Sequence, residues 1–361
     1  MYNTTHEFSV SSLRYLDENG VAVKSIPQEL NQSELVMKAY EAMQLGRLVD
    51  KKAIALQRTG KMGTYPSILG QEAIGVAIGL AMHQEDVLAP YYRDMIAQYL
   101  RGVTLAEILL YWGGDERGSA YQRCKKDFPN CVPIATQLCH AAGAAVQMKV
   151  QGVHRATVAT CGEGATSKGD FLESLNLAGA WQLPLVVVVN NNQWAISTPR
   201  SVQTSAETIA QKAIGAGIRG IQVDGNDFFA VYDAVRTALK RAYDGKGATL
   251  IEAVTYRLGD HTTADDATRY RKSEELQQAW DAEPLKRMRA FMDAQYDWDD
   301  DKEQAMLEAL AAKVDAATQE YLETPPEPPT AMFDYLFEEM PTGLQQQRAE
   351  VAIRQLAKGG V

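Results

Sequence analysis

The stretch 161–197 constrains this chain more than any other. It opens with Cys-Gly-Glu-Gly-Ala-Thr-Ser-Lys-Gly-Asp-Phe at 161–171 and closes with Leu-Val-Val-Val-Val-Asn-Asn-Asn-Gln-Trp-Ala-Ile-Ser at 185–197. The run Val153–Thr160 ahead of it is apolar and β-branched enough to predict a strand. Phe171, Leu172, Leu175, Leu177, Ala178 and Trp181 then recur at helical spacing. Pro184 and the run Val186–Val189 predict a buried parallel strand, which the three asparagines 190–192 end abruptly. The pattern is strand, Gly-rich turn, helix, strand. Such a crossover is right-handed, so both strands deliver their carboxyl ends to one edge of the sheet. Glu163 and Asn192, distant in the chain, are therefore expected to be neighbours.

That pair offers a carboxylate and an amide oxygen, hard donors of the kind Mg²⁺ or Ca²⁺ takes. Gly162 and Gly164 allow close approach of backbone to a ligand, and the helix that follows turns N–H groups toward an anion. A metal-held diphosphate suits this edge. A dinucleotide fingerprint would need its third glycine earlier than Gly169, and in Ser167-Lys168-Gly169 the order required of a P-loop is wrong.

The remainder of the chain extends the alternation. A loose arm (1–30) carries a turn at Asp17–Gly20 and a short partner strand at Val21–Val23. A long helix is expected from Asn31 or Ser33 to about Gln57, a second over 70–82, a strand at 86–90, a helix near 104–113 and an Ala/Gly-rich helix from Pro133 to about Val150. A strand then turn at 221–227 and a strand at 249–255 bracket an amphipathic helix, Phe228–Tyr243. The fold class expected is α/β, a doubly wound, mainly parallel sheet flanked by helices. The expected organisation is an arm 1–30, an α/β domain 31–272 and a helical extension 273–361 containing the stiff Pro-rich linker 324–329. Trp280, Leu285, Met288, Phe291 and Met292 form a packing stripe, and Met332, Phe333, Tyr335, Leu336 and Phe337 make the tail apolar enough to dock.

Two further strand ends carry candidate chemistry. Tyr91-Tyr92-Arg93-Asp94 follows the strand at 86–90, and Tyr256-Arg257-Leu258-Gly259-Asp260-His261 follows the strand at 249–255. In a sheet of this kind ligands sit at such ends.

These motifs together resemble one family. Gly-Glu-Gly at 162–164 with the terminal asparagines is similar to the thiamin diphosphate motif usually written Gly-Asp-Gly…Asn-Asn, with Glu replacing Asp. The resemblance covers roughly 30–345 and is to alpha subunits of the decarboxylating component of 2-oxoacid dehydrogenase complexes, bacterial pyruvate dehydrogenase alpha subunits above all. It implies that Glu163, Asn192 and the carbonyl of Trp194 hold Mg²⁺. It implies that Tyr92, Arg93 and Arg257 meet the diphosphate, with Gly162, Gly164 and Ala165 alongside. Val132 and Ile134 would lie against the pyrimidine side, and His261 would reach the reacting carbon as a catalytic group. Related alpha subunits often carry a second histidine before the Ser/Thr-Gln turn; between His83 and His140 this chain has none.

Only one half of a thiamin diphosphate site is legible, and no second α/β unit follows residue 270. The resemblance supplies the other half as a beta subunit, giving an α₂β₂ heterotetramer that passes its acyl group to a lipoyl-bearing dihydrolipoamide acyltransferase. The implied substrate is pyruvate, the alternative a branched-chain 2-oxoacid; a non-catalytic scaffold is the reading from another class. Net charge −10 argues against unspecific nucleic-acid binding, and no uncharged apolar run is long enough to span a membrane. Cys124, Cys131, Cys139 and Cys161 form no Cys-x-x-Cys pair and are expected to be free thiols. The N-terminus lacks a basic region followed by an apolar core, so the cytoplasm is the expected compartment.

Overall fold

The computed structural model describes residues 3–334 and 336–357; Tyr335, one of the apolar tail positions, lies outside them. Its strands are β1 (Ser11–Leu13), β2 (Val87–Ala89), β3 (Thr157–Gly162), β4 (Leu185–Asn191), β5 (Trp194–Ala195), β6 (Thr198–Pro199), β7 (Arg219–Asp224) and β8 (Thr249–Val254). The helices up to the centre of the chain are α1 (Ser33–Arg58), α2 (Glu72–Ala81), α3 (Met95–Arg101), α4 (Leu105–Trp112), α5 (Thr136–Gln151) and α6 (Gly169–Ala180). They are followed by α7 (Arg200–Gln203), α8 (Lys212–Gly215), α9 (Phe228–Tyr243), α10 (Ser273–Asp281), α11 (Pro284–Gln295), α12 (Asp300–Glu323) and α13 (Thr342–Ala357).

Six strands form one sheet in the order β1-β7-β8-β4-β3-β2, every pair parallel. This is the doubly wound α/β class expected. β4 lies at its centre and is buried throughout, which is why its sequence is a continuous valine run rather than an alternation. Val187, Val189 and Leu250 pack with Leu138, Ala142 and Ala145 of α5 and with Phe171, Leu175 and Ala178 of α6. α9 packs across β4, β7 and β8.

Local expectations are modified where tertiary context overrides pattern. Phe171, Leu175 and Ala178 are the buried stripe of α6, but Leu172, Leu177 and Trp181 are exposed. At roughly 100° per residue those three fall off the stripe. β3 begins at Thr157, not Val153: α5 runs on to Gln151, Gly152 ends it at φ +64°, and the Val153 N–H still bonds Met148. The arm contributes to the sheet itself. Its expected turn exists, with Leu16 and Ala22 in antiparallel register, yet Ser11–Leu13 pairs with β7 as an edge strand. Asp227 fastens that edge, accepting from the Tyr15 and Leu16 amides at 2.6 and 2.8 Å while capping α9 through Phe229 and Ala230.

The chain divides into two compact units, Met1–Thr318 and Gln319–Val361. Both the arm and α11 lie in the first. Phe291 packs on Phe229, and Arg287 bonds Asp224 at 2.6 Å. In the second unit Arg348 pairs with Asp334, and Met332, Leu336 and Phe337 are exposed. The four cysteines are free, and among the described residues no helix is long and apolar enough to cross a membrane.

Candidate active site

A cavity of about 200 Å³ opens at the carboxyl ends of β2, β3 and β4. It gathers residues from five separate segments. Tyr92 and Arg93 come from the turn after β2, and Ile134 from the turn before α5. Gly162, Glu163, Gly164 and Ala165 come from the end of β3, and Asn192 and Trp194 from the end of β4. His261 reaches it from the loop after β8. Two expected residues do not line it. Val132 is half-exposed outside, because the 131–135 segment carries it outward while Ile134 turns in. Arg257 is fully buried behind the wall, where it donates to the Ile196 carbonyl at 2.9 Å and the Tyr270 hydroxyl at 2.7 Å.

The register explains the convergence. Gly162 pairs with Asn190, so the β3 and β4 ends stop level with each other. Each of the three asparagines then takes a different partner. Asn190 donates to the Tyr91 hydroxyl at 2.6 Å, Asn191 to buried Glu252 at 2.7 Å, and Asn192 to Gln71 at 3.0 Å. The Asn192 main-chain N–H donates to Glu163 Oε2 at 3.3 Å, so the two distant residues do meet. Gly164 serves the turn itself, since a Cβ there would lie 2.7 Å from the Ala195 Cβ. The segment after Glu163 is a 3₁₀ turn, Glu163–Ser167, and the α-helix starts only at Gly169.

Electrostatically the cavity wall is divided. Glu163 is 2% exposed, burial pushes its carboxyl pKa up, and Oε1 has no hydrogen-bond partner. An unpaired buried carboxylate oxygen is costly, and a cation beside it removes the cost. Around His261 the surroundings are cationic. Arg93 donates to the carbonyls of Ser67 and, at 2.8 Å, His261. Its Nη2 also lies 3.1 Å from His261 Nδ1, and Arg257 Nη1 lies 3.5 Å from the same atom. A guanidinium only donates, so Nδ1 is the acceptor and a neutral His261 carries its proton on Nε2. Burial first, then the two arginines, lower the His261 pKa to about 4.

The residues fit a Mg²⁺-diphosphate group. Glu163 Oε1 is the orphaned buried oxygen, and Asn192 Oδ1 and the Trp194 carbonyl are further hard donors in the same wall. Among the described residues no three His, Cys, Asp or Glu side chains cluster to hold a metal alone. A one-carboxylate donor set is what Mg²⁺ takes when substrate phosphates complete its shell.

Sequence reasoning missed Gln71, which stands behind Asn192, Tyr91, which lines the cavity and bonds Gln71, and Gln137, buried in the wall with Oε1 unpaired. Tyr91 was visible as the neighbour of Tyr92; nothing marked Gln71. His140, on α5, is exposed and stacks on Phe128 away from the cavity lining.

The family model for the dehydrogenase E1 component matches residues 40–330. The chain belongs to that family. It is 40% identical over 337 residues to the pyruvate dehydrogenase E1 component subunit alpha of Staphylococcus aureus, covering 93% of this chain and 91% of that one. The protein of the same name from Staphylococcus epidermidis is 39% identical over the same share of each chain. In this E1 chain the matched region contains every element that contributes to the cavity.

Proposed function

We propose that the chain is the alpha subunit of a pyruvate dehydrogenase E1 component. With a beta subunit it carries out oxidative decarboxylation of pyruvate and transfers the acetyl group to the lipoyl group of a dihydrolipoamide acyltransferase. The observation that carries the reading is the unpaired Glu163 oxygen beside Asn192, in one cavity with Arg93 and His261. Thiamin diphosphate, when bound, supplies the nucleophilic carbon and the electron sink for decarboxylation.

The chain's own residues anchor and orient. Glu163, Asn192 and the Trp194 carbonyl would hold Mg²⁺, which acts as a template for the diphosphate rather than as a Lewis acid on the keto group. Tyr92 and Arg93 would meet the phosphate oxygens, the planar guanidinium offering forked donors. Arg257 acts from behind the wall, fixing the 194–196 backbone and His261. Ile134 would present an apolar side chain to the cofactor. Neutral His261 can donate a hydrogen bond from its Nε2–H to a developing oxyanion, while Nδ1 stays held by the two guanidinium groups.

The experiment is coexpression with a beta chain and measurement of CO₂ release from pyruvate and from 3-methyl-2-oxobutanoate, with thiamin diphosphate and Mg²⁺. Faster turnover of pyruvate is expected. Release from neither substrate would return the chain to a scaffold, and preference for the branched substrate would reassign it. Asn192→Ala is expected to lose cofactor-dependent turnover; full activity in that variant would remove the metal assignment.

A further inference from the structure

We infer that Gln71 is a positioning residue that dictates which atom of the Asn192 carboxamide faces the metal site. The inference deepens the proposed function and rests on it. Asn192 Oδ1 accepts the Trp194 main-chain N–H at 3.2 Å, and Asn192 Nδ2 donates to Gln71 Oε1 at 3.0 Å. A main-chain N–H can only donate, so this amide orientation is assigned by its partners. Turned over, Asn192 would set its NH₂ against the Trp194 N–H and its oxygen against the Gln71 oxygen. Both hydrogen bonds would become repulsions, and the oxygen would leave the side of the Trp194 backbone.

Gln71 is itself fixed. Its own Oε1 also accepts the Tyr91 hydroxyl proton at 3.3 Å, and that hydroxyl accepts from Asn190 Nδ2 at 2.6 Å. The order of donors therefore runs Asn190 to Tyr91 to Gln71, with Asn192 feeding the same oxygen. The backbone is pinned as well: the Gln71 N–H bonds Ile68, and Thr255 Oγ1 bonds the Gly70 carbonyl at 2.6 Å. Gly70, at φ +91°, has no room for a Cβ, which would lie 2.4 Å from the Tyr256 carbonyl. Gln71 is 4% exposed and does not line the cavity, so it acts through the two lining residues it bonds, Asn192 and Tyr91. The network leaves Gln71 Nε2 and Asn190 Oδ1 unpaired. An apolar pair of the same shape would avoid that cost of about 1–3 kcal/mol for each group. What an apolar pair cannot do is orient an amide.

The test uses the assembled complex with a beta chain, taking only the heterotetramer fraction. Mg²⁺ is titrated at saturating thiamin diphosphate, and protein fluorescence is followed, Trp194 lying in the same wall. Gln71→Met, which keeps bulk and removes the acceptor, is expected to weaken Mg²⁺ about 10–100-fold, the usual loss when a partner behind a metal ligand is removed. Gln71→Glu retains an acceptor for Asn192 Nδ2 and is expected to recover most of that loss. A Met variant with the wild-type Mg²⁺ midpoint, or a Glu variant as weak as Met, overturns the assignment. Should the Met variant not assemble, Tyr91→Phe strips the hydroxyl from Gln71 Oε1; a few-fold weakening is expected there, and an unchanged midpoint overturns the assignment. A wild-type complex with no Mg²⁺ response would instead overturn the functional reading, and this assignment with it.

Discussion

His261 sits between two guanidinium groups, and this placement sets its proton count as well as its tautomer. Its pKa is lowered to about 4 from an ordinary 6.5, with burial as the main cause and Arg93 and Arg257 adding to it. Between those values the unfolded chain holds a proton that the folded chain refuses. Stability is therefore complete above about 6.5 and falls as the pH drops toward 4. His261→Gln removes the titrating group, so its melting temperature should fall less steeply than the wild type's across that window in a fluorimetric melt at matched ionic strength. An equally steep fall would place the acid sensitivity elsewhere. In the assembled enzyme at neutral pH, His261→Ala is expected to lower kcat about 10²–10³-fold, the loss typical when a donor to a developing oxyanion is removed. A loss confined to KM would leave His261 as a binding group only. Alkalinisation from pH 7 to 9 should not touch either role, because the ring is already neutral.

Elements obey their own constraints, and α6 gives a clear test. Gly179 lies inside that helix, where Ala would ordinarily add about 0.5–1 kcal/mol of stability. A Cβ at that position would lie 1.9 Å from the Ala216 carbonyl oxygen, because α6 packs directly on the turn after α8. Overpacking wins: Gly179→Ala is expected to destabilise by about 1–3 kcal/mol in urea unfolding, and a gain would mean the 212–216 turn yields freely. The sequence announced α6, β4 and the meeting of Glu163 with Asn192, because burial on both sheet faces and a right-handed crossover leave little choice. It did not announce which side of α6 Leu172 and Trp181 would take, since apolar residues on neighbouring faces look alike in a pattern. Nor did it announce Gln71, whose partner Asn192 is 121 positions away. Arg257 was legible as a charge but not as a buried one, because its acceptors are main-chain carbonyls, which carry no residue identity. Val132 and Ile134 were indistinguishable until the turn before α5 sent one outward and the other in.

For the whole molecule the decisive feature is where apolar surface is left uncovered. Ile134 and Ile196 line the cavity yet remain 42% and 56% exposed, so the cavity is open on the side they occupy. Val132, close by in sequence to Ile134, and Val202 of α7 are exposed without lining it, at 52% and 73%. A cofactor whose diphosphate end is held by Glu163 and Asn192 needs its other end covered, and the beta subunit expected of this E1 chain would cover it. Those valines would then lie in the core or near rim of the contact, where burying a new carboxylate is costly. Val132→Asp and Val202→Asp are each expected to weaken association with the beta chain at least about tenfold, a loss of roughly 1.4 kcal/mol. Analytical ultracentrifugation of the coexpressed pair reads this directly as a shift from heterotetramer to free chains. The melting temperature of the isolated alpha chain should stay unchanged, because both side chains already face solvent. Adding thiamin diphosphate and Mg²⁺ should recover part of the assembly, since a ligand shared across the contact stabilises it by mass action. If both variants assemble as the wild type does, the beta chain approaches from another side, and the open face of the cavity must be closed by residues of this chain instead.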